Sequence, residues 1–137
     1  MIGLVIVTQG GGLGVELRAT LEHVMGRRQS QLELVSIEGE LDIARDRAKV
    51  VEAVRRVDTG DGAVILTEML GGPASDIALP LVNSPKLEVI AGVNVPILIK
   101  LATIRSKCSV AEAAIAALES GRKHIRHYPE SAAPMSR

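Results

Sequence analysis

The sequence is poor in aromatic and sulfhydryl side chains. Its 137 residues include no tryptophan, no phenylalanine and a single tyrosine, Tyr128, so it offers no stacking platform for nucleic-acid bases or sugars. The single cysteine, Cys108, excludes an intramolecular disulfide framework and a cysteine-rich metal site, and it is typical of a reducing compartment. We therefore expect a cytoplasmic protein whose core is built from aliphatic residues.

An excess of charge of one sign and long apolar runs are also missing. The 16 basic residues balance 16 acidic ones, which disfavours nucleic acid and acidic membrane surfaces as partners. The first apolar run is about six residues long without a basic leader, and none approaches the roughly 20 residues that span a bilayer. We predict no nucleic-acid partner and no direct membrane insertion.

Apolar segments of strand length alternate with segments of helical periodicity. Four apolar runs, mostly β-branched and bounded by glycine or turn residues, have strand length: residues 2–7, 32–37, 63–67 and 87–92. Between the first two, Leu13, Leu17 and Leu21 recur at the spacing of an amphipathic helix. Because the strands are continuously apolar, the pattern predicts an α/β fold, a mostly parallel central sheet with helices on both faces.

The last third of the chain continues this pattern and then changes character. Pro96 is expected in the first turn of a helix, and a final helix is expected from Ser109 as N-cap to Gly121 as its stop. The next segment, RKHIRHY at 122–128, fits either an edge strand or a frayed tail. We predict a single domain over residues 1–128 and a disordered tail over 129–137, which is rich in proline, serine and alanine.

Three segments follow predicted strands at the sheet edge where open α/β folds bind ligands: TQGGGLG, TEMLGGPASD and AGVNVP. Their glycines match neither the G-x-G-x-x-G dinucleotide pattern nor the P-loop. The three histidines and Cys108 lack the spacing of metal ligands. The sequence therefore predicts no cofactor and no metal.

The second of these segments is the most informative. It is a glycine turn opening onto a helix N-terminus, where free backbone N–H groups can bind an anion: Gly71, Gly72, Pro73, Ala74, Ser75 and Asp76. The alternative is that Ser75 or Asp76 only caps the helix. Glu68, directly after the strand, could orient a base or bind a cation, or be a solvated loop carboxylate. Taken alone, the glycine cluster from Gly10 to Gly14 is more typical of a permissive loop than of a binding site.

Taken in order, MIGLVIVTQG, VDTGDGAVILTEMLGGPASDIAL, LEVIAGVNVPILIKL and a helix ending ESGRK resemble one family over roughly residues 1–125. It is the IIA component of the mannose-type (fructose subfamily) phosphoenolpyruvate-dependent sugar phosphotransferase system (PTS). The resemblance implies a cytoplasmic phosphocarrier that takes a phosphoryl group from the histidine of HPr and passes it to a IIB component. It also implies a homodimer that exchanges a C-terminal edge strand, which is the role implied for residues 122–128.

The resemblance also assigns site residues. The family's phosphoryl-accepting histidine, in a T-H-G motif, corresponds to Gln9, and its orienting aspartate corresponds to Glu68. In the family's GG-[ST]-P-x-N turn, Pro73 stands for the serine or threonine and Asp76 for the asparagine. The implied phosphoryl-binding loop comprises Gly10, Thr67, Gly71, Gly72, Pro73, Ala74, Ser75 and Asp76.

Each departure from the family pattern opposes phosphoryl chemistry. The amide nitrogen of Gln9 has its lone pair delocalised into the carbonyl, so it is not a nucleophile as an imidazole is. Pro73 offers neither a hydroxyl nor an N–H to a phosphoryl oxygen. Asp76 adds a negative charge where a second anion would bind.

Three hypotheses about activity follow. The chain is a phosphocarrier that uses another acceptor, a non-catalytic regulatory or binding relative of the family, or an engineered inactive variant of an active carrier. Four departures at one site favour natural divergence over engineering. A receiver-like phosphoacceptor domain is excluded because Thr8 and Gln9 do not supply the acidic pair it needs.

Overall fold

Four parallel strands form the centre of the computed structural model, which describes residues 1–129. The elements in chain order are β1 (Gly3–Gln9), α1 (Gly12–Met25), β2 (Leu32–Ile37), α2 (Ile43–Val57), β3 (Ala63–Thr67), α3 (Pro73–Ala78), a 3-10 turn (Leu79–Leu81), β4 (Leu87–Ala91), α4 (Val95–Ile104) and α5 (Val110–Lys123). The strand order is β2-β1-β3-β4, and every neighbouring pair is parallel. The predicted α/β fold is confirmed.

Helices cover both faces of the sheet, as predicted. Alternate residues of β1 point in opposite directions, so Leu4 and Ile6 pack with α1, α4 and α5 while Val5 and Val7 pack with α2 and α3. All four of these side chains are fully buried. Burial on both faces is the reason that the strands are continuously apolar in the sequence.

Capping side chains set where several helices begin. Asp42 and Asn94 precede α2 and α4, and each accepts a hydrogen bond of 3.0 Å from a backbone N–H in the first turn. Ser109 and Glu112 form a reciprocal capping box at the start of α5. The predictions for Pro96 and Ser109 are therefore confirmed.

The prediction that α5 stops at Gly121 is wrong. The helix continues to Lys123, and Gly121 lies inside it against α4. A Cβ on Gly121 would overlap Ile97 Cγ1, and Asn94 donates a hydrogen bond of 3.1 Å to the Gly121 carbonyl. The glycine permits close approach of two helices rather than a turn out of one.

The C-terminal segment forms no strand within the described chain. Helix α5 takes in Arg122 and Lys123, and residues 124–129 carry no strand pairing. The outer edge of β4 accordingly has no partner strand among the described residues. Pairing with a second copy stays a prediction, as does the single-domain division. Of the tail predicted for residues 129–137, all but Pro129 lies outside the described residues.

No helix within residues 1–129 combines the length and the apolar character needed to cross a bilayer.

Candidate functional site

The loops that follow β1, β3 and β4 meet at the carboxyl-terminal ends of the strands, because the three strands are parallel and adjacent. We call this end of the sheet the carboxyl-terminal edge. Each loop turns through a glycine with positive φ: +82° at Gly10, +85° at Gly71 and +93° at Gly92. These values favour glycine because a side chain would be strained there. The backbone N–H of Gly92 and that of Val93 both donate to the Thr67 carbonyl at 2.9 Å, which ties the β4 loop to the end of β3.

Glu68 joins the ends of β1 and β3. The backbone N–H of Gln9 donates to both carboxylate oxygens of Glu68, with N···O distances of 3.1 Å and 3.3 Å. Gln9 is the last residue of β1, and its exposed side chain makes no hydrogen bond within the described residues. The half-buried carboxylate therefore holds the main chain at position 9 and does not orient the side chain there.

The turn from Gly71 to Asp76 is held together from within. The Ser75 hydroxyl accepts from the Gly71 N–H at 2.9 Å and donates to the Gly72 carbonyl at 3.0 Å. Ser75 is fully buried, so this hydroxyl is not presented to a ligand. Gly72 is the N-cap of α3 and has no side-chain cap, so the alternative that Ser75 or Asp76 caps this helix is wrong. The first turn of α3 has Pro73 at its start, a buried Ala74 and an exposed Asp76.

The threonines at the strand ends are also turned inward. Thr67 is fully buried, and its Oγ1 has no hydrogen-bond partner among the described residues. Thr8 is 2% exposed, and its Oγ1 donates to the Gly10 carbonyl at 3.4 Å. Neither hydroxyl is available as a nucleophile from solvent.

A carboxylate that the sequence analysis did not single out belongs to this edge. Glu38 follows β2 directly, as Glu68 follows β3, and its Oε1 accepts a hydrogen bond of 2.7 Å from Ser36 Oγ. A Cβ on Gly11 would lie 3.2 Å from the same oxygen, so Glu38 lies against the N-cap of α1. Its position directly after a predicted strand was the only signal in the sequence, and that position alone does not distinguish it from other carboxylates.

Exposed apolar side chains lie in loops and first turns at the same end of the sheet as these carboxylates. Met69 and Leu70, in the loop after β3, are 57% and 70% exposed. Leu13, Leu41 and Ile43, in the loops or first turns after β1 and β2, are also exposed. We call these five residues the apolar rim. Exposed apolar side chains that form a contiguous patch are typical of interaction surfaces.

The loops themselves carry no positive charge. Residues 8–14, 67–80 and 91–96 include no lysine, arginine or histidine. After β2 the first cation is Arg45, whose Nε lies 3.2 Å from a carboxylate oxygen of Asp46. The hydrogen bond from Arg45 lowers the pKa of the buried Asp46 carboxyl, so this cation already has its counter-charge.

Metal-ligating residues do not converge here. Within residues 1–129 no group of three or more histidine, cysteine, aspartate or glutamate side chains could hold a metal ion. Cys108 donates to the Ile104 carbonyl beyond the end of α4, and His23 lies in the last turn of α1. His124 follows α5, and its Nδ1 lies 2.7 Å from the Ser120 carbonyl oxygen.

Comparison with known proteins points to one family. A family model described as EIIA-man, PTS system fructose IIA component, matches residues 3–118. No curated protein matches the sequence at a significant level.

Solved structures share the fold at low sequence identity. Phosphotransferase system component EIIA from Streptococcus agalactiae is 19% identical with a TM-score of 0.82, over 95% of this chain and 99% of that one. The mannose/sorbose specific IIA subunit from Enterococcus faecalis is 20% identical with a TM-score of 0.78, over 100% of both chains. A sigma-54 interaction domain protein from Enterococcus faecalis is 13% identical with a TM-score of 0.68, over 89% and 91%.

Proposed function

Since the chain belongs to the EIIA-man family of PTS fructose IIA components, we propose that it is a IIA-like docking or regulatory module that accepts no phosphoryl group itself. Its partners are HPr and a IIB component, and its place of action is the cytoplasm. The observation that carries the proposal is the hydrogen bonding between Gln9 and Glu68. The residue at the acceptor position, Gln9, has an amide side chain, and the residue at the orienting position, Glu68, binds the backbone N–H of Gln9 and not its side chain.

A phosphocarrier needs a nucleophile that attacks phosphorus and later releases the phosphoryl group. In this family an imidazole nitrogen donates its lone pair to phosphorus while the bond from phosphorus to the HPr nitrogen breaks. The Gln9 amide cannot take that role because its nitrogen lone pair is delocalised. The neighbouring hydroxyls of Thr8, Thr67 and Ser75 are buried, and those of Thr8 and Ser75 are also hydrogen-bonded internally. Neither Gln9 nor any of these three hydroxyls replaces the histidine.

Binding of a phosphoryl group is opposed as well. Two backbone N–H groups that could donate to its oxygens are already bound, that of Gln9 by Glu68 and that of Gly71 by Ser75. Pro73 has no N–H to offer. Asp76 stands exposed one turn further on, without an ion-pair partner in the described chain. The edge therefore fits a docking role better than a transfer role.

The unpaired edge of β4 supports a homodimer. Beside it lies a groove of about 320 Å³ lined by apolar side chains of β4 and α5, among them Ile115 and Leu118, both exposed. The C-terminal segment carries two more exposed apolar side chains, Ile125 and Tyr128. We propose that residues 122–128 of a second copy pair with β4 and cover this groove, which would remove an aggregation-prone edge from each subunit.

Light scattering coupled to gel filtration tests the dimer. We expect the wild-type mass to be that of two chains and Ile115→Ser to shift the equilibrium toward one chain. Val24→Ser is the matched control, because Val24 is similarly exposed on α1, away from the β4 edge. A wild-type protein that is monomeric at high concentration would exclude strand exchange.

Phosphoryl uptake tests the function. The chain is incubated with phosphoenolpyruvate, enzyme I and HPr, and its intact mass is measured while an active IIA component in a parallel reaction verifies the relay. We expect no added phosphoryl group on the wild-type chain, and a gain of one would overturn the proposal. Gln9→His alone should restore little transfer because Pro73 and Asp76 remain. Full transfer from that single change would favour the engineered-variant hypothesis.

A further inference from the structure

The carboxyl-terminal edge of the sheet carries carboxylates where a phosphoryl-accepting edge needs donors. Glu38, Glu68 and Asp76 come from three different loops or first turns, and none has an ion-pair partner among the described residues. Cations are missing from the loops after β1, β3 and β4. A ligand that approaches this edge therefore meets negative charge that no neighbouring side chain neutralises.

Glu38 strengthens this effect by its place at the start of α1. That helix has no side-chain cap and no acidic residue in its first turn, so its N-terminus would ordinarily attract an anion. The Glu38 carboxylate lies close to its N-cap, Gly11, and accepts its hydrogen bond from Ser36. A second anion at the start of α1 would therefore meet the negative charge of Glu38.

Arg45, in the first turn of α2, is already paired with Asp46, and further basic residues lie at the end of α5. Arg122 and Lys123 come next to Gly121, whose carbonyl binds Asn94 at the start of α4. However, α5 packs on the face of the sheet opposite to α3, which carries Asp76. Arg122 and Lys123 therefore belong to the opposite face of the sheet from Asp76.

The apolar rim gives this acidic edge the character of a docking surface. Its five exposed side chains lie in the loops and first turns at this same end of the sheet, and apolar burial would supply the binding free energy while the carboxylates select by charge. An unphosphorylated histidine on a partner is neutral or cationic near neutral pH. A phosphorylated side chain carries a charge of about −1.5 to −2 and would be repelled.

We propose that this surface binds its carrier partner more tightly in the unphosphorylated state and so reads the phosphorylation state of the system. The inference rests on the proposed function, in which HPr docks at this edge. It specifies how binding would depend on phosphorylation: complex formation is favoured when HPr is unphosphorylated and disfavoured when HPr carries a phosphoryl group.

The expected discrimination follows from screened electrostatics. Repulsion between a phosphoryl group and three carboxylates several ångströms away, reduced over a Debye length of about 8 Å at physiological salt, corresponds to about a tenfold difference in Kd. Since the repulsion is between exposed groups, the ratio should grow as the salt concentration is lowered.

The test compares the Kd of the full chain for HPr and for purified phospho-HPr by isothermal titration calorimetry. The same titrations are made with the double variant Glu38→Gln/Asp76→Asn and with Glu52→Gln, a neutralisation on the body of α2. Thermal unfolding followed by circular dichroism verifies that each variant is folded. We expect phospho-HPr to bind about tenfold more weakly than HPr, and the double variant alone to reduce the ratio to about two, the share left to Glu68.

The outcomes separate this inference from the proposed function. Equal binding of both forms of HPr, or a ratio that the double variant leaves unchanged, would overturn the inference and leave the docking role standing. Binding of neither form would overturn both.

Discussion

Replacement of Arg105 by methionine should destabilise the protein at the amino-terminal end of the sheet, which lies opposite to the candidate site. Arg105 is 3% exposed, and its guanidinium donates three hydrogen bonds to backbone carbonyls. Its Nε binds the Ile2 carbonyl at 2.9 Å, and its two terminal nitrogens bind those of Ser30 and Gln31 at 2.9 Å and 2.7 Å. The side chain thus ties the start of β1, the approach to β2 and the end of α4 together. Burial lowers the pKa of Arg105 to about 10.

The magnitude follows from what the substitution leaves behind. Each carbonyl that loses its donor costs about 1–3 kcal/mol if it stays dry. Two effects offset part of that cost: a buried charge is removed, and a neighbouring pocket of about 230 Å³ lets water reach the site. We expect Arg105→Met to lower the free energy of unfolding by about 3 kcal/mol, a large share of the 5–15 kcal/mol typical of a domain. Arg105→Lys should cost less because an ammonium retains some of the donors.

Urea unfolding followed by far-UV circular dichroism measures this loss at one fixed protein concentration, since the chain has no tryptophan to report by fluorescence. Arg27→Met is the matched control, because Arg27 lines the same pocket but is exposed. It should change stability by less than about 0.5 kcal/mol. If Arg105→Met lowered the free energy of unfolding by less than about 0.5 kcal/mol, the claim that the three hydrogen bonds of Arg105 stabilise this end of the sheet would be refuted.

Two further substitutions test local features of the fold. Gly62→Ala should lower the free energy of unfolding in urea by more than about 2 kcal/mol, because the φ of Gly62 is +83° and the added Cβ would overlap the Lys86 carbonyl. Gly60 also has a positive φ but has open space around it, so Gly60→Ala should lower the free energy of unfolding by about half as much. Asp46→Asn should flatten the acid limb of the stability profile. The Asp46 pKa is lowered chiefly by Arg45, so its contribution is present above the unfolded pKa of about 3.9 and is lost as pH falls through the lower folded value. Urea midpoints between about pH 3 and pH 7 measure this, and an unchanged profile for the variant would contradict it.

The strands were the most predictable part of the fold. The second and third predicted strands have the bounds of β2 and β3, because a strand buried on both faces must be apolar along its whole length. The first strand was predicted to end two residues early. Thr8 and Gln9 are polar, yet they pair with Ser36 and Ile37 of β2, and such pairing between distant segments leaves no local signal.

The candidate site was predictable in position but not in its contacts. Parallel strands bring the segments that contain Gln9 and Glu68 to one edge, which the alternation of strands and helices implies. That the carboxylate would bind the main chain of Gln9 depends on how closely two loops approach, and residue types do not encode it. Glu38 was missed because a carboxylate after a strand is common, and only its contact with Gly11 distinguishes it.

Glycine was the residue whose role was least predictable. Gly121 has the sequence context of a helix stop, and it lies instead where α5 crosses α4. Glycine is found both where a helix ends in a turn and where two helices pack closely. Which of these applies to Gly121 depends on its contact with Ile97, a residue distant in sequence.

The central claim is that the chain keeps the family's fold and has lost its phosphoryl chemistry through a few residues. The most direct measurement is the intact mass of the wild-type chain and of the quadruple variant Gln9→His/Glu68→Asp/Pro73→Thr/Asp76→Asn, which reverses all four departures, after incubation with phosphoenolpyruvate, enzyme I and HPr. We predict no phosphoryl group on the wild type and one on the quadruple variant. A phosphoryl group on the wild type, or none on a folded quadruple variant, would contradict that claim.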